Sequence, residues 1–277
     1  LSPATMPPAT PAVPRRPRQI IPDDQRSLGG AAAYITGQTQ YPFTLVVGAP
    51  GQGKSTLGQL VCQAHRVAFM PDGTDRTGLP SVQDPHFPLR LDLGDYAAWI
   101  DGVDVFDRSE TQQPAKGRRR PAAQSTLECF IAELMTHAGG GDPVTPGEVR
   151  DLIDRVPSLL VLDGLDEVGR IPARNRPVKE INLFCGRART SAAPPRVLVT
   201  SRPNSAGLAE PDAEMFEVIA LSPMDRRLRD DYLRRWCVVH RVNENDARAL
   251  RRNFNEKTRE PYIGELAGNP MQLTILL

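Results

Sequence analysis

The sequence predicts an α/β fold: a mainly parallel sheet flanked by helices, followed by a small helical unit. Three observations carry that expectation. From Pro42 onward, short apolar runs alternate with amphipathic segments, the pattern of strands joined by crossover helices. The string Gly48-Ala-Pro-Gly-Gln-Gly-Lys-Ser55 lies directly between one such run and one such segment. After Pro223 the strand-like runs stop and only helical periodicity remains.

Residues 1–33 read as a linker, because Pro3, Pro7, Pro8, Pro11, Pro14, Pro17 and Pro22 accompany little that could build a core. Arg15, Arg16 and Arg18 are its solvated charges. The main domain is assigned to residues 34–222. Its first strand is the apolar run 43–47, and residues 54–67 form the helix behind the glycine-rich string. A strand over 89–93 and a short helix over 96–100 come next. Residues 107–123 read as a polar surface insertion; its cluster Lys116-Gly-Arg-Arg-Arg120 has no aromatic platform on which a base could stack. Ser125 and Glu128 have the spacing of a capping box, and Leu127, Phe130, Ile131 and Leu134 then repeat on one helical face. A second helix starts at Pro146. Strands over 159–162 and 196–200 are separated by enough chain for a crossover helix, and 216–221 is the last strand. Residues 223–277 read as the first part of a helical domain, with helices over 226–240, 244–254 and from Glu265 onward. Tyr232, Leu233 and Trp236 share a face and belong to its core.

Composition excludes several classes. A chain of 277 residues can bury one sizeable core and a small second one. With 40% hydrophobic and 24% charged residues, wholesale disorder is excluded. A formal net charge of +1 supplies no general attraction to nucleic acid or an anionic membrane. Cys62, Cys129, Cys185 and Cys237 form no CxxC pair, and His65, His86, His137 and His240 stand at no metal-ligand spacing, so reduced thiols and no zinc site are expected. The chain has no run of about 18 apolar residues and no basic-then-apolar leader. No membrane partner and a cytoplasmic location are therefore expected. The chain starts at Leu1 and stops inside the apolar stretch that begins at Met271, so it reads as an excerpt of a longer protein.

Chemistry concentrates in two places. The string from Gly48 to Ser55 fits GxxxxGK[ST] at every fixed position, after a strand and before a helix. Gly48, Ala49, Pro50, Gly51, Gln52, Gly53, Lys54, Ser55 and Thr56 are therefore expected around the phosphates of a nucleotide. The glycines let backbone N–H groups curl around the anion, the helix N-terminus adds positive potential, and Lys54 adds a full charge at the β/γ-phosphates. Ser55 is expected to ligate Mg²⁺. A second Mg²⁺ ligand is needed at a neighbouring strand end, and the run 159–162 ends on Asp163. Asp166 and Glu167 follow within a turn, and one of them is the candidate to position or deprotonate a water, with Glu167 favoured for reach.

The string Asp163-Gly-Leu-Asp-Glu167 resembles the NACHT form of the Walker B motif, with a tiny residue after the Mg²⁺ aspartate and an acidic pair displaced downstream. Val197-Leu-Val-Thr-Ser-Arg-Pro203 is similar to the NACHT sensor 1 strand, and Gly268-Asn-Pro-Met271 to the family's GxP element. The resemblance implies an AAA-like P-loop NTPase of the STAND class, binding ATP or ADP with Mg²⁺ and hydrolysing slowly, with ATP preferred to GTP. It implies that Arg202 reads the γ-phosphate and that Pro270 packs over the adenine. It further implies a switch that forms a homo-oligomer when activated and controls an effector, in defence signalling. Effector, winged-helix and sensing domains would then lie in cis outside this sequence. A DNA-dependent AAA-type ATPase or loader is the alternative; Arg118, Arg119 and Arg120 are the only residues that point to it, so nucleic acid is not the expected partner.

Overall fold

The computed structural model describes residues 30–37, 41–71, 73–106, 119–169, 174–203 and 207–276. Most of the expected linker, with Arg15, Arg16 and Arg18, and the stretch 107–118 lie outside the described residues.

Five strands, β1 (Phe43–Val47), β2 (Phe87–Asp92), β3 (Ser158–Asp163), β4 (Arg196–Ser201) and β5 (Glu217–Ala220), form one sheet in the order β2-β3-β4-β1-β5. Every pairing is parallel. Strands inside such a sheet are covered on both faces, which explains why β1, β3 and β4 are almost continuous apolar runs. At the edges the pattern relaxes, and β2 leaves Phe87 and Arg90 exposed.

The two faces divide by the strand period of two. Leu159, Val161 and Leu198 point to α1 (Gly30–Thr36) and α2 (Lys54–Ala68), meeting Ile35, Leu57 and Val61. The helix α1 was not signalled by the sequence pattern. Leu160, Leu162 and Val197 point the other way, into a larger core with Tyr96 and Trp99 of α3 (Leu93–Ile100), Phe130 and Ile131 of α4 (Leu127–Ala138), Ile153 of α5 (Pro146–Arg155) and Ile181 of α6 (Asn175–Ala188). Gly58 lets α2 lie close on β3: a Cβ there would stand 2.9 Å from Val161 Cγ1.

Two local expectations are corrected. The cap of α4 is Thr126, whose hydroxyl accepts from Cys129 N, while Ser125 Oγ donates to Pro121 O at 2.7 Å and closes the 3₁₀ turn Ala122–Gln124. Glu128 is buried and paired with Arg187 at 2.9 Å. A complete capping box instead starts α5, between Thr145 and Glu148. The second correction concerns the C-terminal helix, which is two helices. After α7 (Arg226–Val239) and α8 (Glu244–Lys257), α9 (Pro261–Leu266) stops and α10 (Pro270–Leu276) begins anew behind Gly268-Asn269. Leu233, Cys237, Phe254, Ala267 and Leu273 form the core of this helical unit, with Tyr232 and Trp236 packed on it.

Candidate functional site

The loop from Gly48 to Gly53 joins β1 to α2 at the carboxyl edge of the sheet, where open α/β sheets place their ligands. Two positions need glycine. Gly51 (φ 76°) and Gly53 (φ 84°) are left-handed, a conformation that side chains disfavour. Gln52 braces the loop from within, its Oε1 accepting from Ala49 N at 2.6 Å. Among the described residues no side chain caps α2, so its first N–H groups face the loop. Lys54 Nζ donates to Gly48 O at 2.8 Å and to Ala49 O at 3.4 Å, which places the ammonium group inside the curl of the loop. Ser55 and Thr56 are exposed at the mouth.

Across the site, Ser55 Oγ donates to Asp163 Oδ1 at 3.1 Å, joining residues 108 apart in sequence. Two residues that the sequence reading missed complete the surroundings of Asp163. Thr200 of β4 donates from Oγ1 to the same oxygen at 2.5 Å and accepts from Gly164 N at 2.9 Å. Arg90 donates to Asp163 Oδ2 at 2.6 Å. Its position follows from the ladder: Arg90 pairs with Val161, so Asp163 is its diagonal neighbour two residues on, within reach of a long side chain. Burial pushes the Asp163 carboxyl up, but the hydrogen bonds from Thr200, Arg90 and Ser55 and the Arg90 charge outweigh it, holding the group below the usual carboxylate range. A hydroxyl and an ionised carboxylate beside an ammonium group are a hard-oxygen donor set, and they fit a Mg²⁺–polyphosphate ligand.

No family model matches the chain, and no curated protein matches its sequence. Among solved structures the chain is similar to that of C. elegans PCH-2, with 16% identity and a TM-score of 0.34, covering 73% of this chain and 43% of that one. The chain thus spans less than half the length of that protein chain.

Beyond Asp163 the acidic pair divides. Gly164 (φ 80°) turns the chain sharply out of β3, and Leu165 N donates back to Thr200 O at 2.9 Å. Glu167 is then exposed beside the turn, its carboxylate carbon 3.4 Å from where a Gly164 Cβ would stand. Asp166 is mostly covered and forms an ion pair through Oδ2 with Arg202 Nε at 2.6 Å, while its Oδ1 is buried and has no hydrogen-bond partner among the described residues. Arg202 follows Ser201, whose carbonyl accepts from Gly48 N at 3.1 Å, so this arginine stands one residue from the root of the glycine-rich loop. A further arginine absent from the sequence reading, Arg174, is almost fully buried at the start of α6. It donates to Ala209 O at 2.7 Å and to Ser201 Oγ at 3.3 Å. Burial lowers its pKa, and the charges of Glu210 and Asp166 act against that.

The helical unit reaches the same loop. Asn269 Nδ2 donates to Pro50 O at 2.7 Å, and Met271 N to Gly51 O at 3.3 Å. A Cβ on Gly51 would stand 2.7 Å from Asn269 Oδ1 and 2.9 Å from Met271 Cβ, so the loop glycine also admits α10. Pro270 opens that helix, half-buried, next to these contacts. Of the basic cluster, Lys116 and Arg118 lie outside the described residues, while Arg119 pairs with Asp101 at 3.1 Å, and Arg120 pairs with Glu133 at 3.2 Å while lying 4.2 Å over the Trp99 ring. Both guanidinium groups are engaged by the protein itself.

Proposed function

We propose that the chain is the nucleotide-binding part of a NACHT/STAND-type switch that binds ATP or ADP with Mg²⁺ and hydrolyses ATP slowly. The observation that carries the reading is the junction of Ser55 with Asp163 beside Lys54, which unites the glycine-rich loop and the acidic strand end. Gly51 and Gly53 shape a backbone cradle for phosphates, with Ala49, Pro50, Gln52 and Thr56 around it. Lys54 would neutralise phosphate charge, and Ser55 and Asp163 would hold the metal. Bound Mg–ATP would supply the phosphoanhydride bond to be hydrolysed and the γ-phosphate charge that ADP lacks. Glu167, exposed at the turn, accepts the proton of a water at its carboxylate. Arg202 interacts with the γ-phosphate.

The contacts of Asn269 and Met271 with the loop support a switch rather than a passive site, since a loop that rearranges around phosphate changes what α10 rests on. In the longer protein this conformational change would promote homo-oligomerisation and activate an attached effector, in the manner of defence signalling. Among the described residues no helix is long and apolar enough to cross a membrane, and the cytoplasm is the proposed compartment.

Lys54→Ala tests the reading. Calorimetry should show loss of ATP and ADP binding in a variant whose circular dichroism matches the parent. Unchanged affinity in that folded variant refutes it.

A further inference from the structure

Asp166 is offered by its sequence position as an acid–base group, yet its geometry gives it another task. One of its oxygens holds Arg202, and the other is buried without a hydrogen-bond partner among the described residues. A covered carboxylate in that state depends on its ion pair, because a buried oxygen that lacks water or a donor loses solvation free energy. The two side chains are unlike in exposure: that of Asp166 is 11% exposed and that of Arg202 55%. The carboxylate is therefore the covered partner and the guanidinium the one that a ligand from solvent can reach. Arg202 follows Ser201 at the edge of the phosphate loop, and a γ-phosphate there would present a second, doubly charged partner for the same guanidinium.

We propose that Asp166 is a positioning residue that competes with the γ-phosphate for Arg202 and thereby sets how strongly the site prefers ATP over ADP. The inference rests on the nucleotide reading of the site. Binding ATP must break the Asp166–Arg202 pair, and binding ADP leaves it intact, so the pair lowers ATP affinity alone. A ligand shifts a conformational balance only by its differential interaction with the two arrangements, and this ion pair is such a difference. Asp166 is not left without a cation. Arg174, tied to Ser201 Oγ and Ala209 O, stays as the neighbouring buried cation and steadies the carboxylate after Arg202 leaves.

The test measures binding without turnover, using ADP and the non-hydrolysable ATP analogue AMP-PNP with Mg²⁺ in calorimetry. Asp166→Asn should raise AMP-PNP affinity about two- to five-fold, the scale of a partly exposed ion pair, and leave ADP affinity unchanged. Arg202→Ala should lower AMP-PNP affinity and spare ADP. In the Arg202→Ala background, Asp166→Asn should then have no further effect, because the competitor has lost its object. A gain that persists without Arg202, or an AMP-PNP affinity that is unchanged or reduced in folded Asp166→Asn, overturns the proposal. Should Asp166→Asn not fold, phenylglyoxal labelling of Arg202 in the unaltered protein decides instead: protection by AMP-PNP beyond that by ADP supports the exchange of partners, and equal labelling refutes it. If the unaltered protein binds neither nucleotide, the reading of the site itself fails. Binding of both with no selective shift rejects the competition alone.

Discussion

Asp163 can serve a divalent cation only if its carboxylate is ionised and aimed, and Thr200 does much of the aiming. The Thr200 hydroxyl donates to Asp163 Oδ1 and accepts from Gly164 N, so it fixes both the carboxylate and the turn that follows. Thr200→Val keeps the shape and removes both bonds. Outer-shell partners of this kind contribute about 10- to 100-fold in metal affinity, so the Mg²⁺ dependence of nucleotide binding should weaken by that order, with Thr200→Ser close to the parent. A Thr200→Val protein with an unchanged Mg²⁺ titration rejects the role. The Gly164 N–H left without its acceptor should also cost about 1–3 kcal/mol of stability, visible in urea unfolding. Glu167→Gln addresses the chemical step. It should retain ATP binding while single-turnover hydrolysis slows by about 10²–10⁴-fold. Hydrolysis at the parent rate would move water activation to another group.

At the scale of elements, the packing of α2 on β3 invites a direct challenge. A Cβ at position 58 would lie 2.9 Å from Val161 Cγ1, and Val161 is fully buried and branched, so neither side yields cheaply. Gly58→Val should destabilise the protein by about 1–3 kcal/mol, as overpacking does, lowering Tm by about 2–4 °C per kcal/mol. A variant that melts with the parent would show that the helix can lift off the strand without cost. The elements themselves were legible in the sequence because their patterns are local: the run 43–47 and the loop behind it need no knowledge of neighbours. The partners were not legible. Arg90 meets Asp163 only because the ladder pairs it with Val161, and register is set by the whole sheet. Thr200 looks like one more β-branched strand residue until β4 is known to lie beside β3. Ser125 and Thr126 are equally good caps one residue apart, and the 3₁₀ turn that takes up Ser125 decides between them. Gly268-Asn-Pro270 does carry helix-stop and helix-start chemistry, so the break before α10 had a signal, read as a motif but not as a boundary.

Across the whole molecule, one histidine links stability to pH. His65 is fully buried on α2, its Nδ1 accepts from His86 N at 3.0 Å, and Nε2 has no hydrogen-bond partner among the described residues. Burial, with the neighbouring His86 and Arg196, pushes its pKa down to about 4. The unfolded chain then binds the extra proton near pH 6.5 and the folded one near 4, so stability is full above pH 6.5 and falls as pH drops through that window. The loss approaches about 3 kcal/mol at its lower end. Urea unfolding at pH 7.5 and pH 5 should show it, and His65→Asn should flatten the difference even if its absolute stability is lower. An equally steep fall in that variant would assign the effect to other groups. The strand order has a further consequence, for synthesis. Phe43 pairs with Val197 and Thr44 with Glu217, so β1 emerges from the ribosome roughly 150 residues before either of its ladder partners. At about 5–20 residues per second, the apolar strand waits roughly 8–30 s with both edges unsatisfied. The glycine-rich loop, which hangs from Ser201 O by Gly48 N, is among the last parts of the sheet to be fixed although it is translated before β2, β3, β4 and β5. Nascent chains ending before β4 should therefore gain no protease resistance from nucleotide, need a holdase during that interval, and acquire nucleotide protection only once β4 and β5 have left the exit tunnel.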